Sequence, residues 1–197
     1  MKFNFLLILT GLIVGVATNC TSFSENRKVA NSKADKVAIE KNLPLIYDIS
    51  GLHIDSAGGV GLTVQIRNTS TKAIKYLRLA LSPYNAVGDR VSSDIGNRTQ
   101  ALLSFTGPIP SIRGDTSQII DLQEKNRGDF ATIWYNHTIT CVKVDHIEIT
   151  YMDNSRSLIK AKTDLTTMNK IYSEALTSQE GLSDFDKKWS ASIICPN

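Results

Sequence analysis

In the stretch VGLTVQIR, Val60, Leu62, Val64 and Ile66 alternate one for one with Gly61, Thr63, Gln65 and Arg67. A period of two is the signature of a strand with one buried face and one wet face. NTSTKA then supplies a turn, and IKYLRLALSPYN continues the pattern, with Leu77, Leu79 and Leu81 on one face and Tyr76 and Arg78 on the other. Further strands are expected over 89–95, 99–105, 117–122, 130–136, 139–151 and 157–162. Most are separated by Gly, Asn, Asp or Pro, and no amphipathic crossover helix lies between them. That spacing argues for a mainly β protein built as an antiparallel sandwich, rather than for a parallel α/β sheet.

Turn chemistry sets the details. GPIPSIRGD is read as a loop between strands, because Pro108 and Pro110 lack the amide hydrogens that a central ladder needs. MDNSR reads as a hairpin turn, in which Asp153 and Asn154 tolerate the required backbone geometry. SPYNAVGD reads as a sheet-edge turn through Tyr84 and Asn85, with Gly88 and Asp89 re-entering a strand. Residues 43–163 thus form one sandwich domain, large enough for its own core. Val60, Leu62, Val64, Ile66, Leu77, Leu79, Leu81, Ile133, Ile147 and Ile149 are expected in that core. Trp134 is expected between the sheets with its indole N–H satisfied.

The ends of the chain read differently. Lys2 precedes an apolar block from Phe5 to Ala17, which is too short to span a bilayer and right for a secretory signal over residues 1–19. The block stops at Cys20. A cysteine in that place, preceded by Ala17, Thr18 and Asn19, resembles a loose bacterial lipobox, whose thiol receives a diacylglycerol. Asn19 departs from the usual small residue. The competing reading is a secreted protein cut nearby, with Cys20 free or disulfide-bonded. On the lipoprotein reading the chain is anchored in the bacterial cell envelope and faces the periplasm or the exterior. Residues 20–42, rich in Ser, Asn, Lys, Glu and Asp, read as a lipidated cysteine and solvated tether. Within it KADKVAIEK could be helical only with a docking partner.

Beyond Thr163 the period becomes helical. Met168, Ile171, Tyr172, Ala175 and Leu176 form a stripe, so a helix is expected from about Leu165 to Leu176, capped by Asp164 and stopped by Gly181. The last segment fits either a helix through Phe185, Trp189 and Ile193 or a strand through Trp189, Ala191, Ile193 and Cys195. Either way residues 164–197 are a partly helical extension packed on the sandwich. Lipidation of Cys20 leaves Cys141 and Cys195 as an even pair in an oxidising compartment. They either form a disulfide that ties this extension down, or remain a buried core cysteine and a free thiol near the end.

IKYLRLALSPYNAVGD, TGPIP and IWYNHTITCVKVDHIEITYMDN together resemble a bacterial domain family of unknown function found in secreted proteins and envelope lipoproteins. The resemblance spans roughly residues 60–159 and implies an immunoglobulin-like sandwich in an extracytoplasmic setting. It implies no catalytic residue. The chain departs from the pattern at Asn154 and Ser155, where the resemblance leads one to expect glycine after Asp153.

Chemistry is sparse. His53, His137 and His146 show no metal-ligand spacing, and no nucleophile elbow, phosphate loop or dinucleotide fingerprint is present. AGGVG at 57–61 precedes a strand and reads as a turn. Asp48, Asp55, Asp89, Asp94 and Asp115 lack a calcium-loop pattern, although a sandwich can still gather carboxylates at one end. A net charge of +3 with scattered basic residues gives no nucleic-acid footprint. The expectation is a non-catalytic binding or structural module without cofactor or metal, held to the membrane by its N-terminal lipid and meeting an unknown protein or small ligand. Two alternatives stand beside it. Arg113, Gly114 and Asp115 spell a tripeptide that would suit a host-directed adhesin, and a hydrolase site can come together only in three dimensions.

Overall fold

The computed structural model describes residues 28–113, 127–178 and 192–195. These form seven strands and two helices. Helix α1 covers 28–40. The strands are β1 (Ile46–Ile54), β2 (Gly59–Arg67), β3 (Ile74–Asn85), β4 (Ala101–Ile109), β5 (Arg127–Tyr135), β6 (Ile139–Tyr151) and β7 (Arg156–Ile159), and α2 is Lys162–Thr177. A three-stranded sheet has the order β1-β2-β5 and a four-stranded sheet the order β4-β3-β6-β7, with every pairing antiparallel.

The alternation in β2 is spent as its period demands. Val60, Leu62, Val64 and Ile66 are all buried against Leu77, Leu79 and Leu81 of β3 and Ile147 and Ile149 of β6, and Ile133 joins them, so all ten expected core positions are inside. The long strand at 139–151 forms with the bounds that its pattern set. Trp134 is fully buried in the same cluster, but its indole nitrogen has no hydrogen-bond partner.

Several elements depart from the sequence reading. β1 was not expected as a strand: Ile46, Tyr47, Asp48, Ile49 and Ser50 are all buried, so no alternation advertises it. Residues 89–95 do not make a strand. After one isolated bridge between Tyr84 and Arg90, their amides turn elsewhere, Ser93 to the Arg98 carbonyl and Asp94 to that of Tyr135. Pro108 lies at the end of a strand rather than in a loop, and Pro110 follows just past it. β4 is an edge strand, and Pro108, joined to Gly107 by a cis bond, sits where the register with β3 slips, a place that needs no amide hydrogen. Gly107 is required there, since a Cβ would lie 2.2 Å from the Ile74 carbonyl oxygen. At the β6–β7 hairpin Asn154 takes the left-handed backbone, φ 62°, in place of glycine. The expected strand at 117–122 lies outside the described residues.

The tether reading of 20–42 gives way from residue 28 onward. There α1 buries Asn31, Ala34 and Ala38 against the body, which supplies the docking partner a short helix requires. Helix α2 starts three residues before its expected position. Asp164 lies in its first turn without capping it, Ala161 occupies the cap, and the helix ends at Ser178 before Gly181 is reached. Its stripe of Leu165, Met168, Tyr172, Ala175 and Leu176 is buried.

Candidate functional site

Among the described residues, one sheet is roofed and the other open. On the outward face of the three-stranded sheet, Arg67 at the end of β2 forms a two-pronged ion pair with Asp35 of α1. Burial alone would lower the pKa of that guanidinium, and the adjacent Asp35 carboxylate outweighs it, so the charge is held more firmly than usual. Helix α2 locks to β1: the Tyr47 hydroxyl donates to the Leu165 carbonyl oxygen at 3.0 Å, and Asn169 Nδ2 donates to the Tyr47 carbonyl oxygen at 3.3 Å.

The C-terminal segment completes the roof. Cys141 and Cys195 are joined by a disulfide across 54 positions of sequence. Ile193 stitches the two sheets, its amide donating to the Ile49 carbonyl of β1 at 2.8 Å and its carbonyl accepting from Val142 of β6 at 3.0 Å. The described piece is therefore a short extended strap, paired in parallel with β6 at Val142 and Ile194. Beneath it lies Asp48, fully buried, neither of whose carboxylate oxygens has a well-formed hydrogen bond. Burial pushes its pKa up to about 6, and the nearby hydroxyls of Ser50 and Ser192 and the Ile49 amide offset only part of that rise.

The outward face of the four-stranded sheet carries a hollow of about 650 Å³. Its floor follows from register. Tyr76, Thr150 and Arg156 stand side by side across β3, β6 and β7, and Arg78, Glu148 and Leu158 form the next row. An extra residue in β3 relative to β6 between Ile74 and Tyr76 brings Lys75 to the same side, where its Nζ lies 5.6 Å from the Tyr76 ring centre and donates to Asn154 at 3.0 Å. Among the described residues, three cations thus surround a single carboxylate. Arg78 and Glu148 approach only to 3.7 Å and both are about half exposed, so the guanidinium keeps donors free for a ligand. Tyr76 is 46% and Leu158 54% exposed, which gives the floor flat apolar ground between its charges.

The residues singled out from sequence fare unevenly. Cys141 and Cys195 are brought together. Cys20, Gly114 and Asp115 lie outside the described residues. Arg113 donates from Nε to the Thr69 carbonyl at 2.7 Å, so its guanidinium is partly engaged by its own chain. His53 lies against the Gly51 carbonyl and His146 beside Glu148. Among the described residues no three His, Cys, Asp or Glu side chains gather as a metal would require. Asp55 accepts from the amides of Ala57 and Gly59, so the turn in AGGVG is confined to Ala57 and Gly58, the latter at φ 81°, while Gly59, Val60 and Gly61 already belong to β2. The sequence placed Tyr76 and Arg78 on the wet face of their strand. It could not place Arg156 and Lys75 beside them, because that depends on cross-strand register and on the bulge.

No family model matches the chain, and no curated protein does either. A solved structure of a hypothetical protein from Peptoclostridium difficile 630 is similar to it, with 12% identity over 64% of this chain and 91% of that one and a TM-score of 0.34.

Proposed function

We propose that this chain is a non-catalytic binding module, anchored to the cell envelope through a lipid on Cys20, which takes an anionic ligand on the outward face of its four-stranded sheet. The observation that carries the reading is the contrast between the two outward faces. One is roofed by helices and strap, while the other holds an open hollow in which Lys75, Arg78 and Arg156 outnumber Glu148. Pockets of this size suit small ligands or a single arm of a larger one. The apolar block ending at Cys20 and the resemblance to a family of secreted proteins and envelope lipoproteins support the setting. Two or three acyl chains hold a protein stably where one would not.

Two measurements test the reading. Mass spectrometry of the mature N-terminus should find a lipid-modified Cys20, and an unmodified terminus elsewhere would remove the anchor. Nuclear magnetic resonance of full-length mature protein carrying Cys20→Ser should show amide shifts at Tyr76, Arg78, Thr150 and Arg156 with citrate, galacturonate or phosphate, and none with spermidine. Shifts with no anion, or confined to other surfaces, would overturn the binding site.

A further inference from the structure

The dimensions and chemistry of the hollow narrow the class of anion. We propose that it binds an acidic sugar, a carboxylate-bearing saccharide of one or two rings; this rests on the binding-module reading above.

Size comes first. The floor consists of two rows of side chains two residues apart along strands β3, β6 and β7. Side chains on one face repeat about every 7 Å along a strand, and neighbouring strands lie about 4.8 Å apart, so the platform measures roughly 7 by 10 Å. One or two sugar rings cover such a patch. An extended acidic peptide advances about 3.3 Å per residue and would leave the platform after two or three residues. The free edge that it would otherwise join, β7, is four residues long.

Chemistry comes second. A saccharide presents an apolar face of C–H groups, a rim of hydroxyls and, when acidic, a planar carboxylate. The hollow offers a counterpart to each. Tyr76 supplies an exposed ring face, an amphipathic surface that stacks at little entropic cost, and Leu158 adds exposed apolar surface at the opposite corner of the platform. Thr150 and Glu148 can exchange hydrogen bonds with hydroxyls, Glu148 only as an acceptor while ionised. Arg78 and Arg156, diagonal to each other across the two rows, present the forked donors that match a carboxylate.

The same arrangement disfavours a bare phosphate. A compact dianion is best held by converging cations or by amides at a helix N-terminus. Here the cations are spread around an apolar ring, with a carboxylate among them.

Isothermal titration of full-length mature Cys20→Ser protein tests the assignment with four probes: digalacturonate, its methyl ester, hexaglutamate and inorganic phosphate. Digalacturonate should bind at least tenfold more tightly than its uncharged ester and than either other anion. Tyr76→Ala and Arg156→Gln should each weaken digalacturonate tenfold or more while leaving the thermal midpoint in place, since both side chains are exposed. Hexaglutamate binding as tightly as digalacturonate, with sensitivity to Arg156→Gln, would overturn the sugar and leave the anion-binding face standing. Phosphate binding equally well, with no effect of Tyr76→Ala, would do the same. Failure of every anion to bind would overturn both readings together.

Discussion

Arg67 of β2 and Asp35 of α1 meet in a two-pronged ion pair, Nε to Oδ1 and Nη2 to Oδ2, with side-chain exposures of 10% and 15%. Together with the burial of Asn31, Ala34 and Ala38, this contact makes the segment ahead of the sandwich part of the folded body. Removing one partner strands the other in a poorly hydrated place, which typically costs 3 to 5 kcal/mol, about 3 here given the residual exposure. Asp35→Ala should therefore lower stability to urea by about that much. Asp35→Leu combined with Arg67→Met should lose far less, because no charge is left unpaired. Equal losses in the two variants would show that the carboxylate is not the partner that matters.

Asp48 gives a pH dependence of definite sign. Its folded pKa of about 6 lies above the ordinary carboxyl value of 3.8, so between those values the folded state holds more protons than the unfolded chain. Stability therefore falls as pH rises from about 4 to about 6, and near neutrality the buried charge subtracts on the order of 2 to 3 kcal/mol. Asp48→Asn should raise stability to urea at pH 7 by roughly that amount and change little at pH 4. A variant equally affected at both pH values would contradict the assignment.

The disulfide closes a loop between positions 54 apart. In the chain-entropy account a loop of that length stabilises by up to about 4 kcal/mol. Cys195→Ser should lower the urea midpoint accordingly, and added reductant should destabilise the natural protein but not this variant. Non-reducing peptide mapping that recovers both thiols free from envelope-purified protein would refute the bond itself.

Val64 is fully buried on the inward face of β2. Val64→Asp places an unpaired charge in the core, at a cost expected to exceed about 4 kcal/mol, enough to unfold a domain of ordinary stability. Far-ultraviolet circular dichroism should lose its β signal. An unchanged spectrum and thermal midpoint would mean that the strand faces the other way.

The sequence by itself determined the strands whose two faces see different surroundings. β2, β3 and β6 alternate because one side meets the core and the other water or a thin covering, and α2 shows its stripe for the same reason. The even pair of Cys141 and Cys195 was also legible as one of two possibilities, since export leaves two thiols that can pair. Tertiary structure alone decided the rest. β1 carries no alternation because helix, strap and core enclose both of its faces, so both sets of its side chains are buried, Asp48 among them. The docking of 28–40 depends on Arg67 waiting at the end of a strand that begins more than 30 positions after the helix does. The cationic hollow is the same kind of fact. Lys75 and Tyr76 are neighbours in sequence, but Arg156 joins them only through the pairing of β3 with β6 and of β6 with β7. A periodic pattern records which face of an element is buried; which elements share that face is settled by long-range register, and no local pattern encodes it.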